Sequence, residues 1–229
     1  MDPKKKQARV AGFLYLLIVV FGLIAQVVVR DGLVNYRDAT ITSENIRNSE
    51  FLYRFGFVSE LLMLVCDIGV TTILYILLRD ISRILTLLST FFRLTSIVIL
   101  TVVALTHYAA LYFLQDSEYL KVFNHNQLNA MALISVRFHG AGYNISLFYF
   151  GIHLIILGYL ILKYHPFPRI IGILLFIAGL CYVSNSLITF LFPSMVSFIY
   201  PAIIIPCFIA ELTFSVWLIW KGLSNTSAT

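Results

Sequence analysis

The chain has 229 residues, 60% of them hydrophobic and only 12% charged, with a mean hydropathy of +0.91. A soluble domain is roughly half apolar and a quarter charged, so this composition excludes one and makes lipid the expected solvent. The net charge of +5 does not mark a nucleic-acid binder, because no basic stripe carries interleaved aromatics; the densest cluster, Lys4 to Lys6 with Arg9, abuts an apolar run and reads as a membrane-orientation signal.

A helix needs about 20 mainly apolar residues to cross a hydrocarbon core of roughly 30 Å. The first such run, 10–29, is too long for a secretory h-region and is expected to stay as an anchor. Residues 30–54 are polar and form the longest loop, with a short helix expected around 46–52. Spans at 55–78 and 84–114 come next, joined by the short turn 79–83, which makes them antiparallel neighbours. After a second polar stretch, a lead-in helix over 130–138 is expected before span 139–162, with Gly140 and Gly142 breaking the helix between them. Spans 170–192 and 200–220 complete six, and Pro201 and Pro206 are expected to kink the last. The expected fold is therefore all-α, a single integral membrane domain of six transmembrane helices, with outer loops at 30–54 and 115–138. Cys66, Cys181 and Cys207 sit in apolar runs without metal-ligand spacing and read as small fillers.

Orientation follows from the lysines and arginines near span ends. Lys4, Lys5, Lys6, Arg9, Arg79, Arg83, Lys163, Arg169 and Lys221 fall on the side of the N terminus. Arg30, Arg37, Arg47, Arg54 and Lys121 fall opposite, among six acids. The positive-inside rule puts both termini in the cytoplasm.

Ionisable groups within spans cost about 2.5–3.5 kcal/mol each to insert near a helix centre, so each needs a reason. At 1.5 Å per residue, Glu60, His107, Tyr143, Asn144 and Asn185 share a layer roughly 10 Å below the outer ends, with His139 above them. Asp67, Arg93, His153 and Glu211 form a deeper layer. Asp67 and Arg93 are candidates for one structural ion pair. Asn144, Asn185 and Ser186 suit interhelical hydrogen bonding, and Tyr53, Tyr112, Trp217 and Trp220 suit an interfacial aromatic belt. Glu60, His153 and Glu211 then remain without an evident partner. Gly151 and Gly158, and again Gly172 and Gly179, repeat at seven residues, which marks spans four and five for close approach.

Several segments are distinctive together: ARVAGFLYL at Ala8, LLMLVCDIG at Leu61, FFRL at Phe91, HGAGYNISLFYFGIHLIILGYLI at His139, FPRIIGILLFIAGL at Phe167 and ELTFSVWLIWKG at Glu211. Over Ala8 to Gly222 the chain resembles the bacterial multi-pass membrane proteins of domain-of-unknown-function family 4386. The resemblance implies a bacterial inner-membrane location and brings no catalytic residue with it.

Three functions compete at this level. The leading expectation is a protein that binds or transports a small or lipophilic molecule in a polar cavity lined by Glu60, His107, His139, Tyr143, Asn144 and Asn185, with Glu60 and Glu211 available to carry protons. A metal-dependent hydrolase would use His107, His139 and His153 with Glu60 or Asp67, although no two of these histidines have compact helical spacing and His139 and His153 stand roughly 20 Å apart on a straight helix. A scaffold or accessory protein would use every polar group as packing glue. Residue types name no cofactor, and two histidines are an unspecific signal for haem. The bilayer is the one partner the composition demands; a ligand, a protein partner and a homo-oligomer are undetermined by it, and nucleic acid is not expected.

Overall fold

The computed structural model describes residues 3–221, apart from the side chains of 197–201, so the side chain of Pro201 and the chain end beyond 221 lie outside the described residues. Among the described residues there are helices and turns and no strand. Six helices are long and apolar enough to cross a membrane. We label the helices α1 (Pro3–Leu33), α2 (Ala39–Asn48), α3 (Glu50–Leu78), α4 (Arg83–Leu114), α5 (His125–Tyr164), α6 (Arg169–Leu191) and α7 (Val196–Trp220). The protein is thus an all-α, polytopic membrane protein. Large apolar side chains such as Phe13, Val65, Val98 and Leu105 are exposed on its helices, as lipid-facing residues must be.

Several helix boundaries differ from the sequence expectation, each for a local reason. Helix α1 does not stop at Val29 but runs to Leu33 through a π-helical segment, Ile24–Arg30. The expected loop 30–54 contains α2, which is longer than and shifted from the helix anticipated at 46–52. Asp38 starts it by accepting from the Thr40 and Ile41 amides at 2.8 and 3.0 Å. The lead-in at 130–138 and the fourth span are one unbroken 40-residue helix. Its start is set by a capping box: the Gln127 amide donates to Asn124 Oδ1 and the Asn124 amide to Gln127 Oε1, both at 2.9 Å. Glycine costs a helix about 1 kcal/mol relative to alanine, too little at two positions to break a helix so capped and packed. Helix α7 is likewise continuous through Pro206.

The chain divides into two compact units. The first comprises, of the described residues, 3–17, 65–98 and 144–221. Here α5 and α6 meet backbone to backbone at the glycine pairs the spacing marked. A Cβ on Gly179 would lie 2.6 Å from the Gly151 carbonyl oxygen, and one on Gly158 would lie 2.8 Å from that of Gly172. Helix α1 crosses α7 as closely, since a Cβ on Gly12 would lie 2.7 Å from the Ser215 carbonyl oxygen. Small residues matter here because lipid offers no hydrophobic drive between helices, leaving van der Waals contact and hydrogen bonds to hold them. Tyr15, Phe167 and Phe214 fill the core of this unit, with Phe214 edge-on to both others.

The second unit comprises Ile18–Leu64 and Ile99–Tyr143. Its apolar core gathers Val29, Leu33, Ile46, Tyr53, Ala110, Leu111, Ala132 and Val136 from α1 to α5. Two close approaches organise it. Gly56 on α3 lies against Val29 on α1, and Gly142 on α5 lies against Val103 on α4; an added Cβ at either glycine would collide with the valine side chain. These crossings position the polar residues one turn away on each helix.

Candidate functional site

In the second unit, Glu60 sits four residues beyond Gly56, on the same face of α3. The Gly56–Val29 crossing brings its carboxylate to Arg30, the residue after Val29. Arg30 Nη1 donates to Glu60 Oε2 at 3.0 Å, and its Nε donates to Gln26 Oε1 at 2.9 Å within the π-helical segment. His107 lies four residues past Val103 and His139 three before Gly142, so the second crossing sets these imidazoles edge to face, 5.7 Å between centroids. His139 Nε2 donates to Glu60 Oε1 and Oε2 at 2.9 and 3.1 Å. Exposure is 0% for Glu60 and His107, 1% for His139 and 3% for Arg30.

Tyr53 completes the arrangement. Its hydroxyl donates to the His107 carbonyl oxygen at 3.0 Å, and His107 Nε2 donates in return to the Tyr53 carbonyl oxygen at 3.2 Å. The two rings stack with centroids 4.1 Å apart. A carbonyl oxygen only accepts, so Nε2 carries the hydrogen and the neutral ring holds its lone pair at Nδ1. That Nδ1 is buried and has no hydrogen-bond partner among the described residues. The unpartnered hydroxyls of Ser43 and Ser59 can rotate, whereas a ring nitrogen locked by its own hydrogen bond and by stacking cannot. Glu60, His107 and His139 each offer one ligand-capable atom within 4.8 Å of the other two. Arg30 also lies 5.8 Å from the centroid of Tyr143.

The first unit holds the other polar residues, joined differently. Arg93 Nε donates to Asp67 Oδ1 at 2.5 Å, and Arg93 Nη1 meets His153 Nε2 at 3.2 Å. A guanidinium only donates, so Nε2 accepts and Nδ1 carries the hydrogen, with Ser89 Oγ at 2.8 Å and the Ser89 carbonyl oxygen at 3.0 Å. Arg93 Nη2 has no hydrogen bond, but the guanidinium carbon lies 5.1 Å from the Tyr15 ring centroid and 5.2 Å from that of Phe150. Glu211 accepts from Tyr182 Oη at 2.5 Å. Asn185 Nδ2 donates to Asn144 Oδ1 at 3.0 Å and Ser186 Oγ to the Asn144 carbonyl oxygen at 2.8 Å. A small cavity of about 10 Å³ beside His153 and Ser89, bordered by Thr71, Thr86 and Leu157, has room for about one water molecule.

The expected site residues divide between the two units. Glu60, His107 and His139 come together with Tyr143 nearby, and Asn144 and Asn185 bond each other in the first unit. Residues expected to lack partners have them: Glu60 has Arg30 and His139, His153 has Ser89 and Arg93, and Glu211 has Tyr182. His153 is not part of the His107–His139 cluster. Two residues of the site were missed. Arg30, counted as a loop cation, is buried because the π-helical turn carries the helix past it; Tyr53, assigned to the aromatic belt, is fully buried. The Gln26–Arg30 spacing of four was the available signal for the first, and the Tyr53, Gly56, Glu60 face for the second.

The sequence profile described as a domain of unknown function, DUF4386, matches residues 10–222. The chain belongs to that family. It is also similar to an uncharacterized protein of the archaeon Archaeoglobus fulgidus, with 28% identity over 168 residues that cover 73% of this chain and 84% of the relative. No solved structure matches the chain. The expected membership in family 4386 therefore stands.

Proposed function

We propose that this protein binds a small ligand within the membrane at the centre formed by Arg30, Glu60, His107 and His139. The observation that carries the reading is the His107 ring, which is fully buried, locked in one tautomer and left with a bare Nδ1. One ion pair would balance the charge of Glu60. Four helices nevertheless bring two imidazoles and a carboxylate together besides the guanidinium, at an insertion cost of about 2.5–3.5 kcal/mol for each charged group. A packing role explains the pair but not the open nitrogen. The distribution of lysine and arginine supports both termini in the cytoplasm of a cell membrane, with this centre in the outer half; a cytoplasm-active reporter fused at the C terminus should therefore work, and a silent fusion would reverse that orientation.

A scaffold role is favoured by a different observation, the mutual satisfaction of Arg30, Glu60 and His139 without any guest. One comparison separates the two. Wild-type protein and a Glu60→Gln/His107→Gln variant are purified from membranes in mild detergent, checked for cooperative unfolding, and compared by elemental and organic mass spectrometry. Binding predicts an ion or molecule near one per chain in the wild type and missing from the folded variant. The same complement in both would leave the scaffold reading.

A further inference from the structure

Resting on that binding reading, we infer that the ligand of this centre is a divalent transition-metal ion of the zinc class, held by His107 Nδ1, His139 Nε2 and a carboxylate oxygen of Glu60. The donor set comes from three helices, α3, α4 and α5, whose spacing is already fixed by the Gly56 and Gly142 crossings. One ligand-capable atom of each residue lies within 4.8 Å of those of the other two, and the bound atoms must stand roughly 3.4 Å apart around a tetrahedral ion with bonds of about 2.0–2.2 Å. Rotation of the Glu60 and His139 side chains toward the fixed His107 ring covers a difference of that size without moving a helix.

The hydrogen bonding around His107 is that of a metal-ligating histidine before its metal arrives. One ring nitrogen donates to a backbone carbonyl, which fixes the tautomer and aims the other lone pair. His139 now uses Nε2–H on Glu60; on metal binding the ring takes its other neutral tautomer, with the proton on Nδ1, and an N–metal–O link replaces the N–H···O bond. Two imidazoles and one carboxylate suit a borderline ion such as zinc and leave a fourth position open. Calcium and magnesium need about six or more oxygens, which this set does not supply.

Charge sets the rest of the coordination. Arg30 already neutralises Glu60, so a divalent ion adds two uncompensated charges to a buried site. The open position therefore takes an anionic ligand, with hydroxide from a deprotonated water the smallest. By the same reasoning, Arg30 competes with the metal for Glu60 and lowers its affinity.

The test uses full-length protein in detergent, stripped with a chelator and titrated with Co²⁺ as a visible stand-in for zinc, with equilibrium dialysis for stoichiometry. One Co²⁺ per chain with the absorption of a four-coordinate ion is expected. His107→Gln, His139→Gln and Glu60→Gln should each weaken binding at least about tenfold, while His125→Gln, exposed at the start of α5, should not. Arg30→Gln should bind more tightly than wild type and gain more thermal stability from added Zn²⁺, a result that a ligand variant failing to fold cannot imitate. Absence of Co²⁺ binding in cooperatively unfolding wild-type protein would overturn the inference, as would binding that survives His107→Gln. If an organic molecule, and no metal, is lost from the Glu60→Gln/His107→Gln variant, the binding reading stands and the metal inference falls. If nothing is lost, both fall.

Discussion

Two buried histidines, one in each unit, show how similar residues end in different roles. His153 has both ring nitrogens engaged, one by Arg93 and the other by Ser89, and the Arg93 guanidinium is in turn held by Asp67 and bracketed by two aromatic rings. His107 engages one nitrogen and leaves the other bare, in a ring grouped with a carboxylate and a second imidazole. An imidazole with both nitrogens engaged ties helices together; one with a bare nitrogen has capacity for a guest. The contrast teaches that burial and charge alone do not mark a site in a membrane protein, and that hydrogen-bond accounting around each ring does.

The comparison can be broken most forcefully at the two arginines. Asp67→Ala removes the carboxylate that Arg93 hydrogen-bonds, leaving the buried guanidinium unpaired on that side, and should cost about 3–5 kcal/mol. Arg30→Gln leaves Glu60 its two hydrogen bonds from His139 and should cost less, about 1–3 kcal/mol. Unfolding in mixed detergent micelles measures both, and equal losses would put the two centres on the same structural footing. Helix crossings give the next effect. Gly179→Ala drives a methyl into the Gly151 carbonyl, which cannot yield without separating α5 from α6, and should lose about 1–3 kcal/mol. Gly142→Ala meets first the Val103 side chain rather than backbone and should lose less by the same assay; a reversed order would show that the second unit is the more rigidly packed. The smallest difference is between the histidines. His153→Phe strips partners from both Arg93 and Ser89 and should cost about 2 kcal/mol, whereas His107→Phe keeps the stacking on Tyr53, loses one hydrogen bond and should cost about 1 kcal/mol. If His107→Phe proved the more damaging, its ring would be a structural post.

The sequence by itself determined that the chain crosses the membrane and how many helices can do so, because hydropathy is summed locally along the chain and needs no partner. It also determined the meeting of α5 and α6, since glycines seven apart on both helices leave a matched seam. Helical phase placed Glu60 with Asp67, and Arg93 with His107, on common faces of their helices, yet phase does not say which neighbour a face meets. Tertiary structure decided that Asp67 and Arg93 pair, that Asn144 bonds Asn185, and that Glu60, His107 and His139 converge in a group that does not include His153. It alone buried Arg30. A π-helical segment shifts the phase of everything after it, and Val29 seats against Gly56 only in the folded chain, so no periodic reading of α1 brings its last cation onto the carboxylate of Glu60.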